Sequence, residues 1–309
     1  HGSQGILANT ISPGFIGTDL TYQNNSEVAL EQLKEQIPLR RLGTPEEVAK
    51  VVYQLTVENS FIAGQKHNNR RRIFMYSTLE IQSRISNYKL HFIENISDVE
   101  QLIDSPNTIT FIDKNVSELY PQLGREGNVV VECTEDVKTL EGASNIFDIL
   151  VERKANVQTR LVAIGGGILQ DLIGFCASTY CRGVHYTLVP TTLLAQADSC
   201  LGGKTSINIK GKKNILGTFY PPDNIYINSK FLKTLSTLDY CSGLGEVYKF
   251  HILENRVDQF YSEGNIDDMI YRGLAFKKDI LSRDEFDKGE RRYLKLWTYL
   301  WACLGDNIK

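Results

Sequence analysis

Residues 161–217 decide the fold: LVAIGGGILQDLIGFCAS at 161–178 is followed by VPTTLLAQADSCLGGKTSINIKGKKNILG at 189–217. The apolar run 161–164 is typical of a strand, three glycines follow it, and the apolar spacing after Gly167 predicts a helix. A strand, turn and helix of this kind present backbone N–H groups to a phosphate. Glycine in the turn permits close backbone approach and positive φ. Three glycines also suit an ordinary tight turn, so the loop alone leaves both interpretations open.

Strands and helices alternate on both sides of this stretch. NTITFIDKNV at 107–116 predicts a strand that ends at Asp113, and NVVVECTEDVKTLEGASNIFDILVE at 128–152 predicts a strand, a turn and an amphipathic helix. This alternation indicates an α/β domain with a doubly wound parallel sheet. Beyond Thr234 the pattern is helical without clear strands, so we place a domain boundary near residue 235.

Composition argues against several classes of function. The 309 residues, 42% of them hydrophobic, suffice for roughly two domains with cores of their own. A formal net charge of −3 gives no reason to expect nucleic acid or an anionic membrane as a partner. No apolar run reaches the roughly 20 residues of a membrane span and no signal peptide is recognisable, so we expect a cytoplasmic protein. The six cysteines form no CxxC pair and predict reduced, mostly buried thiols.

The order of polar residues resembles that of the 3-dehydroquinate synthases and their sugar-phosphate cyclase relatives. The similarity rests on the glycine loop 165–167, Thr191–Thr192, GGKT at 202–205 and GKKN at 211–214, and it extends over residues 75–294. It implies a Rossmann-like, NAD-binding α/β domain over 75–235, followed by the start of a truncated all-α domain over 236–294. It also implies that a phosphorylated seven-carbon sugar acid is converted to 3-dehydroquinate with phosphate release. In that chemistry NAD acts catalytically, and a divalent metal, zinc or cobalt, polarises the hydroxyl that is oxidised.

The resemblance assigns one set of residues to NAD. Taken singly, Asp113 and Glu135 would be ordinary structural acids, and only their order with the glycine loop marks them as candidates. A lysine is likewise most often a solvated surface charge, although the glycines in GGKT and GKKN favour close approach to a ligand. The residues implied to bind the cofactor are Asp113, Glu135, Lys138, Gly166, Gly167, Asp171, Thr191, Thr192, Lys204, Lys213 and Thr234.

A second set is assigned to substrate and metal. Clustered lysines and arginines suit a substrate with both carboxylate and phosphate groups, and Arg182 is implied to reach the phosphate from a neighbouring subunit, hence a homodimer. Glu246 matches a metal ligand, whose partner imidazoles would fall at Thr298 in a shifted reading frame and beyond Lys309. Asp284–Glu285 can be read as a catalytic acid pair or as a solvated pair at a helix end. The residues implied to surround the substrate are Asp198, Lys204, Lys213, Asn214, Lys249, Lys277, Arg291 and Arg182.

Residues 1–65 carry a different resemblance. GILANTISPGFIGTDLT at 5–21 and IPLRRLGTPEEVAKVVYQLTVENSFIAGQ at 37–65 are similar to the C-terminal part of a short-chain dehydrogenase/reductase. In that family Pro13-Gly14 follows a strand beside the nicotinamide, and Thr44 with Glu47 would form a capping box at a helix start. The glycine-rich loop and the Tyr-x-x-x-Lys pair of that family are missing, so we expect no dehydrogenase activity from this segment.

Two segments suggest shifted reading frames. Removing one A from plausible codons for KHNNRRR at 66–72 yields Asn-Ile-Ile-Ile-Asp-Gly-Gly, a reductase ending, and makes Met75 the start of a second protein. The same operation at Lys295 turns the tail 295–309 into Asn-Tyr-Gly-His-Thr-Phe-Gly-His-Ala, a synthase-type metal motif. A genuine tryptophan-rich helix is the alternative for that tail. We therefore treat 66–74 as a frameshifted junction and 295–309 as a frameshifted tail.

Three alternatives to a 3-dehydroquinate synthase remain open. A related cyclase could act on another sugar phosphate with the same NAD and metal parts. A glycerol-dehydrogenase-like enzyme shares the fold but lacks the lysines of GGKT and GKKN. A non-catalytic NAD-binding protein is the third. Because the metal histidines are missing from the chain as it stands, we expect no cyclase turnover from it, with NAD binding retained in part.

Overall fold

The computed structural model describes residues 16–26, 29–31, 34, 41–53, 78–254, 266–292 and 294. Contacts divide the chain into two compact units, Arg72–Leu294 and a second one that comprises His1–Arg71 and Lys295–Lys309. The hypotheses about Pro13-Gly14, the junction 66–74 and the tail 295–309 concern residues outside the described ranges.

The described part of the second unit contains two short helices, α1 (Asp19–Asn24) and α2 (Pro45–Tyr53). At the start of α2 the Thr44 hydroxyl accepts the Glu47 N–H at 3.2 Å, and the Glu47 carboxylate accepts the Thr44 N–H at 2.9 Å. This reciprocal pair confirms the predicted capping box, and proline at the first helical position fits it because the missing N–H has no helical partner there.

The larger unit is built on a seven-stranded sheet, in which all neighbouring strands are parallel except the first pair, which is antiparallel. The strand order is β1-β2-β9-β6-β5-β3-β4, and β7 pairs with β8 as a separate hairpin. The bounds are β1 Leu79–Ile81, β2 Tyr88–Phe92, β3 Thr108–Asp113, β4 Val129–Val131, β5 Arg160–Gly165, β6 His185–Pro190, β7 Lys204–Ile209, β8 Lys212–Phe219 and β9 Asn224–Ile227.

Helices follow most of the parallel strands. Those of the larger unit are α3 Ile96–Ile103, α4 Lys114–Leu119, α5 Leu140–Glu152, α6 Gly167–Thr179, α7 Thr237–Leu253 and α8 Ile266–Arg283. The strands and helices predicted around 107–116, 128–152 and 161–178 are therefore confirmed. From residue 236 onward the described elements are helical, as the sequence pattern indicates.

Strand β5 shows why the sheet is covered on both faces. Leu161 and Ala163 belong to one buried cluster, whereas Val162 and Ile164 belong to another, and all four are fully buried. Alternate side chains point to opposite faces of a strand, so a continuous apolar run requires a packed layer on each side. The side chains of Leu161, Val162 and Ile164 each contribute roughly 1.5–3 kcal/mol by leaving water.

The connections change direction between β3 and β5. From β3 the chain continues through α4 to the edge strand β4, whereas from β5 it continues through α6 to β6 on the opposite side. The carboxyl ends of these two neighbouring strands therefore form a topological switch point, where open α/β sheets leave a crevice for ligands. The side chain of Asp113 and the backbone of Gly165 lie at this point.

The β7–β8 hairpin carries both lysine motifs. Its turn residues Lys210 and Gly211 have φ of 48° and 75°, and positive φ at both positions defines the tight turn that matches strand twist. Asn214 on β8 also has a positive φ of 57°, which asparagine tolerates better than most residues.

The cysteines are less buried than predicted. All five in the described ranges are free thiols, but only Cys176 and Cys200 are buried, while Cys181 and Cys241 are exposed. The prediction that the thiols are mostly buried is wrong, because Cys181 lies in a surface turn and Cys241 on an open face of α7, and the prediction that they are reduced stays a prediction. No helix among the described residues is long and apolar enough to cross a bilayer.

Candidate functional site

A cleft of about 770 Å³ lies at the switch point. Its walls come from the carboxyl ends of β3, β5 and β6, from the N-terminus of α6, and from the segment 231–242 that leads into α7. Nine of the eleven residues that the resemblance implies for NAD line it: Asp113, Glu135, Lys138, Gly166, Gly167, Asp171, Thr191, Thr192 and Thr234. Residues as far apart in sequence as Asp113 and Thr234 thus meet in one concave surface.

The glycine loop is needed for space. A Cβ on Gly165 would lie 3.2 Å from Asp113 Cβ, and one on Gly166 would lie 3.0 Å from Thr192 Cγ2. Gly166 is the N-cap of α6 with φ −77°, and none of the three glycines of the loop is among the described positive-φ residues. The expectation that the loop uses positive φ is therefore wrong. Close approach of backbone to neighbouring groups is the reason for glycine here.

The N-terminus of α6 faces the cleft without a side-chain cap. The first N–H groups of a helix have no partner within it, and together with the helix dipole they favour an anion. A dinucleotide pyrophosphate fits this arrangement because no side chain at Gly166 or Gly167 blocks its approach.

A polar network forms the floor of the cleft. Lys138 Nζ donates to Asp171 Oδ2 at 2.5 Å and to Asn214 Oδ1 at 2.7 Å, and the hydroxyl of Ser206 lies within hydrogen-bond distance of both acceptors. Asn208 Nδ2 donates to Glu135 Oε1 at 2.8 Å. The network holds Lys138 and Asp171 against the hairpin, so the hairpin and the cleft are physically joined.

Three residues that the resemblance assigns to cofactor or substrate do not line the cleft. Asn214, implied to contact substrate, belongs to the network beneath the cleft. Lys204 and Lys213, implied to contact the cofactor, do not line the cleft. Lys213 is exposed on β8, and Lys204 forms an ion pair with Asp287 at 2.8 Å. The side-chain direction on a hairpin depends on register, which spacing alone does not reveal.

Several lining residues were not identified from the sequence. A T-shaped aromatic pair, Tyr120 and Phe231, has ring centroids 5.0 Å apart and forms an apolar wall of the cleft. Helix starts supply polar groups as well, since Asn115 follows Asp113 and Ser236 caps α7. The available signal for Asn115 was its position two residues after Asp113, the last residue of a strand. Further residues missed are Val116, Leu119, Cys133, Ile168, Leu194, Ser199, Leu235, Asp239 and Ser242.

A second cluster gathers the residues implied for substrate. Asp198 accepts hydrogen bonds from Lys277 Nζ at 2.6 Å and from Lys249 Nζ at 3.2 Å. Burial alone would raise the pKa of Asp198, but the two ammonium groups lower it well below its usual range. Burial lowers the pKa of Lys277. Lys249 also donates to Glu246. The carboxylates of Asp198 and Glu246 together outweigh the effect of burial and raise the pKa of Lys249.

Arg291 reaches the same region from the C-terminal side. Its guanidinium is 3% exposed and donates to the carbonyl oxygens of Gly202, at 3.1 Å, and Glu285. Gly202 and Gly203 have φ of 111° and 61°, and a Cβ on Gly202 would lie 2.1 Å from Arg291 Nη2. The GG of GGKT is therefore required by the backbone conformation and by the arginine beside it.

Both carboxylates of the acid pair 284–285 are hydrogen-bonded to neighbouring segments. Asp284 accepts N–H groups of Lys288, Gly289 and Arg291 at 2.7–3.0 Å. Glu285 accepts the Ser83 hydroxyl and the Arg84 N–H. Both acids follow the end of α8, as the helix-end interpretation expects, and their carboxylates organise the loop before Arg291.

Glu246 does not by itself make a metal site. It is 4% exposed, burial raises its pKa, and Lys249 donates to it. No group of three or more His, Cys, Asp or Glu side chains in the described part of the chain could hold a metal ion. The histidines within those ranges, His91, His185 and His251, bond to other partners. The described residues therefore do not fit a metal ion without ligands from elsewhere.

Arg182 stands on a surface turn. Cys181, Arg182 and Gly183 all have positive φ, of 51°, 68° and 125°, and the arginine is exposed. Within the described residues its side chain makes no hydrogen bond or ion pair. Arg182 does not line the cleft at the switch point.

A doubly wound sheet with a glycine-started helix at its switch point defines a Rossmann-like, dinucleotide-binding class of fold. Comparison with known proteins narrows the class. A family model described as 3-dehydroquinate synthase N-terminal matches residues 128–242, and 3-dehydroquinate synthase of Streptococcus pyogenes serotype M5 (strain Manfredo) is 33% identical over 239 residues, which is 71% of this chain and 67% of that one. The chain belongs to the 3-dehydroquinate synthase family.

Other relatives show how much of the family's length is present. The 3-dehydroquinate synthase of Clostridium tetani (strain Massachusetts / E88) is 35% identical over 239 residues, and the match covers 74% of this chain but only 63% of that protein. The solved structure of 2-epi-5-epi-valiolone synthase from Streptomyces hygroscopicus subsp. jinggangensis 5008, with NAD+ and Zn2+ bound, superposes with a TM-score of 0.57 at 26% identity. The superposition covers 68% of this chain and 65% of the 2-epi-5-epi-valiolone synthase chain.

The N-terminal part of the chain is similar to a different family. Residues 1–68 match a family model described as Enoyl-(Acyl carrier protein) reductase. The similarity predicted for residues 1–65 is thus matched by a reductase model, and it covers too little of the chain to define the whole protein.

Proposed function

We propose that residues 75–294 form the NAD- and substrate-binding part of a cyclase that converts a phosphorylated seven-carbon sugar acid to 3-dehydroquinate with release of phosphate. One observation carries the proposal: the nine residues named above, spread from Asp113 to Thr234, line a single cleft at the switch point of the sheet. We place the NAD-binding domain at 75–235 and the start of the helical domain at 236–294.

NAD fits the cleft in size and chemistry. The N-terminus of α6 and the loop at Gly166–Gly167 would hold the pyrophosphate, and Asp113 at the end of β3 would accept hydrogen bonds from ribose hydroxyls. Thr191, Thr192 and Thr234 would line the opposite wall. When bound, NAD supplies a hydride acceptor that returns its hydride, so the net reaction consumes no cofactor.

The lysine cluster has the charge that an anionic substrate needs. Lys249 and Lys277 both pair with Asp198, Lys249 also pairs with Glu246, and the Arg291 guanidinium lies close enough to interact electrostatically with Asp198 and Lys277. These cationic groups would bind carboxylate or phosphate oxygens. Asp198 binds both ammonium groups and directs them to one place, which would orient the substrate and leaves each lysine a further N–H to donate.

Two further functions have specific support. A related sugar-phosphate cyclase with another substrate is supported by the likeness to 2-epi-5-epi-valiolone synthase. A non-catalytic NAD-binding protein is supported by the pairing of Glu246 with Lys249 and by the lack of a metal-holding group among the described residues. A divalent metal belongs to the proposal only with ligands contributed from outside those residues.

The proposal extends to assembly and location. Arg182 on its left-handed surface turn would reach the phosphate of substrate bound to a second copy, which makes a homodimer the expected assembly. A cytoplasmic location stays a prediction from the sequence.

Calorimetric titration of the full chain with NAD tests the proposal. We expect saturable binding that Asp171→Asn weakens by about tenfold or more, because the variant loses the charge that pairs with Lys138 in the cleft. Asp148→Asn, an exposed acid on α5, is the matched control and should bind like the parent protein. Absence of NAD binding by the parent protein would refute the proposal.

A further inference from the structure

Gln196 is fully buried and belongs to neither residue set that the resemblance assigns. It lies in the π-type turn Ala195–Ser199, and its N–H donates to the Thr192 carbonyl at 2.9 Å. Such turns place side chains in directions that a regular helix does not allow. Gln196 points inward to the sheet, while Asp198 in the same turn meets the lysine cluster.

The Gln196 side chain joins the carboxyl ends of two strands. Its Nε2 donates to the Pro190 carbonyl at 3.0 Å and to the Asn228 carbonyl at 2.9 Å. Pro190 ends β6 and Asn228 follows β9. Both hydrogens of the amide are used, so the side chain satisfies two buried carbonyl groups at once.

Strand pairing does not reach this level of the sheet. The register of β6 with β9 joins Thr187 to Asn224 and Leu188 to Ile225, and it ends there. Beyond that point the Gln196 amide takes the place of a strand-to-strand hydrogen bond. It therefore fixes the separation of the two chain segments as they enter the cleft.

Both segments become walls of the NAD cleft. Thr191 and Thr192 follow Pro190 directly, and Thr192 stands against the glycine loop. On the other side the Asn228 side chain accepts the Lys230 N–H and caps the turn Ser229–Thr234, which brings Phe231 and Thr234 into the cleft.

We propose that Gln196 is a positioning residue, which sets the width of the NAD cleft and anchors the turn that carries Asp198. The inference rests on the proposed NAD binding. Gln196 does not line the cleft itself. Without its two donors, the Pro190 carbonyl would lose the hydrogen bond from the amide, and the Asn228 carbonyl would keep only the longer one from the Phe231 N–H, at 3.3 Å, so the walls would separate to find other partners.

Calorimetry with NAD on the full-length Gln196→Met variant tests this. Methionine keeps the length and volume but donates no hydrogen bond, and we expect the dissociation constant for NAD to rise by about tenfold or more. Tyr180→Phe is the control, because it also removes a hydrogen bond to a carbonyl, that of Ala155 at 3.0 Å, away from the cleft. It should lower the melting temperature without changing NAD affinity by more than about twofold.

The outcomes are distinct. Gln196→Met binding NAD as tightly as the parent protein would overturn the inference and leave the proposed function intact. Absence of binding by the parent protein would overturn both. If Gln196→Met does not fold, Gln196→Asn, which keeps the amide but cannot span both carbonyls, should fold and show the same direction of change. Unchanged NAD affinity in a folded Gln196→Asn protein would also overturn the inference.

Discussion

The hydroxyl of Tyr88 accepts the backbone N–H of Gly202 at 3.0 Å, which ties the start of β2 to a turn more than a hundred residues later. The next group along that turn, the Gly202 carbonyl, accepts Arg291. The Tyr88 hydroxyl therefore fixes Gly202, whose carbonyl binds the buried Arg291 guanidinium. Gly202 lies shortly before Lys204 in the chain. Burial raises the pKa of Tyr88, so the group stays neutral.

Tyr88→Phe should loosen this turn. The variant leaves the Gly202 N–H buried without a partner, at a cost of about 1–3 kcal/mol in the free energy of unfolding. Hydrogen exchange followed by mass spectrometry should show faster exchange at residues 201–204. The Tyr180→Phe protein, which loses a comparable bond elsewhere, should exchange there at the parent rate. Equal rates in Tyr88→Phe and the parent protein would contradict the role assigned to the hydroxyl.

The cleft at the switch point was predictable because its residues follow local signals. Asp113 and Gly165 end apolar runs that had to be parallel strands, and the carboxyl ends of such strands meet at one edge. Because the strands alternate with helices along the chain, neighbouring strands lie parallel. The polar residues that follow these strands must then share a surface. That reasoning needs only periodicity and turn chemistry, both of which are visible in sequence.

The rest of the site depends on contacts between distant segments. Nothing near Tyr88 or Gln196 indicates that each bonds to the backbone of a remote turn. The mutual pairing of Asp198 with two lysines is equally invisible, because a lysine on a helix is by default solvated. Hairpin register decides that Asn214 joins the network with Lys138 beneath the cleft while Lys213 faces outward, and register is a property of the folded pair of strands.

Asp198→Ala should be strongly destabilising. Two buried ammonium groups, those of Lys249 and Lys277, would lose their shared counter-charge, and removal of one partner from a buried ionic cluster costs about 3–5 kcal/mol. Urea denaturation monitored by circular dichroism measures the change. Asp148→Ala on the exposed face of α5 serves as the control and should change stability by less than about 0.5 kcal/mol. A loss in Asp198→Ala as small as the control's would show that the cluster is not held by this carboxylate.

The loop before Arg291 should open as the pH falls. Burial would raise the pKa of Asp284, but the N–H groups of Lys288, Gly289 and Arg291 lower it below its usual range. A depressed folded pKa means that the stabilisation is complete above the unfolded pKa of about 3.9 and is lost as the pH falls through the folded value. NMR titration of the Lys288 and Gly289 amides should show this transition, and Asp284→Asn should abolish it. A transition in the parent protein at or above the usual carboxyl pKa would contradict the assignment.

Thiol labelling should separate the cysteines by burial. Burial raises the pKa of Cys176 and of Cys200 to about 12, so at about pH 8 almost no reactive thiolate is present at either. Cys181 and Cys241 are exposed. Brief treatment with iodoacetamide followed by peptide mass spectrometry should label the two exposed residues and leave the two buried ones unmodified, until the protein is unfolded. Early labelling of Cys200 would mean that the turn Ala195–Ser199 opens readily.

The full chain should bind NAD yet show no phosphate release from a phosphorylated seven-carbon sugar acid, with or without added zinc or cobalt. The reason is that Glu246 is held by Lys249 and no metal-holding group exists among the described residues. Phosphate release followed by a coupled colorimetric assay measures this, and a full-length 3-dehydroquinate synthase serves as the positive control. Metal-dependent turnover would show that ligands outside the described residues complete the site. In that case Glu246→Gln should abolish turnover, while Glu254→Gln, near the end of α7, should not.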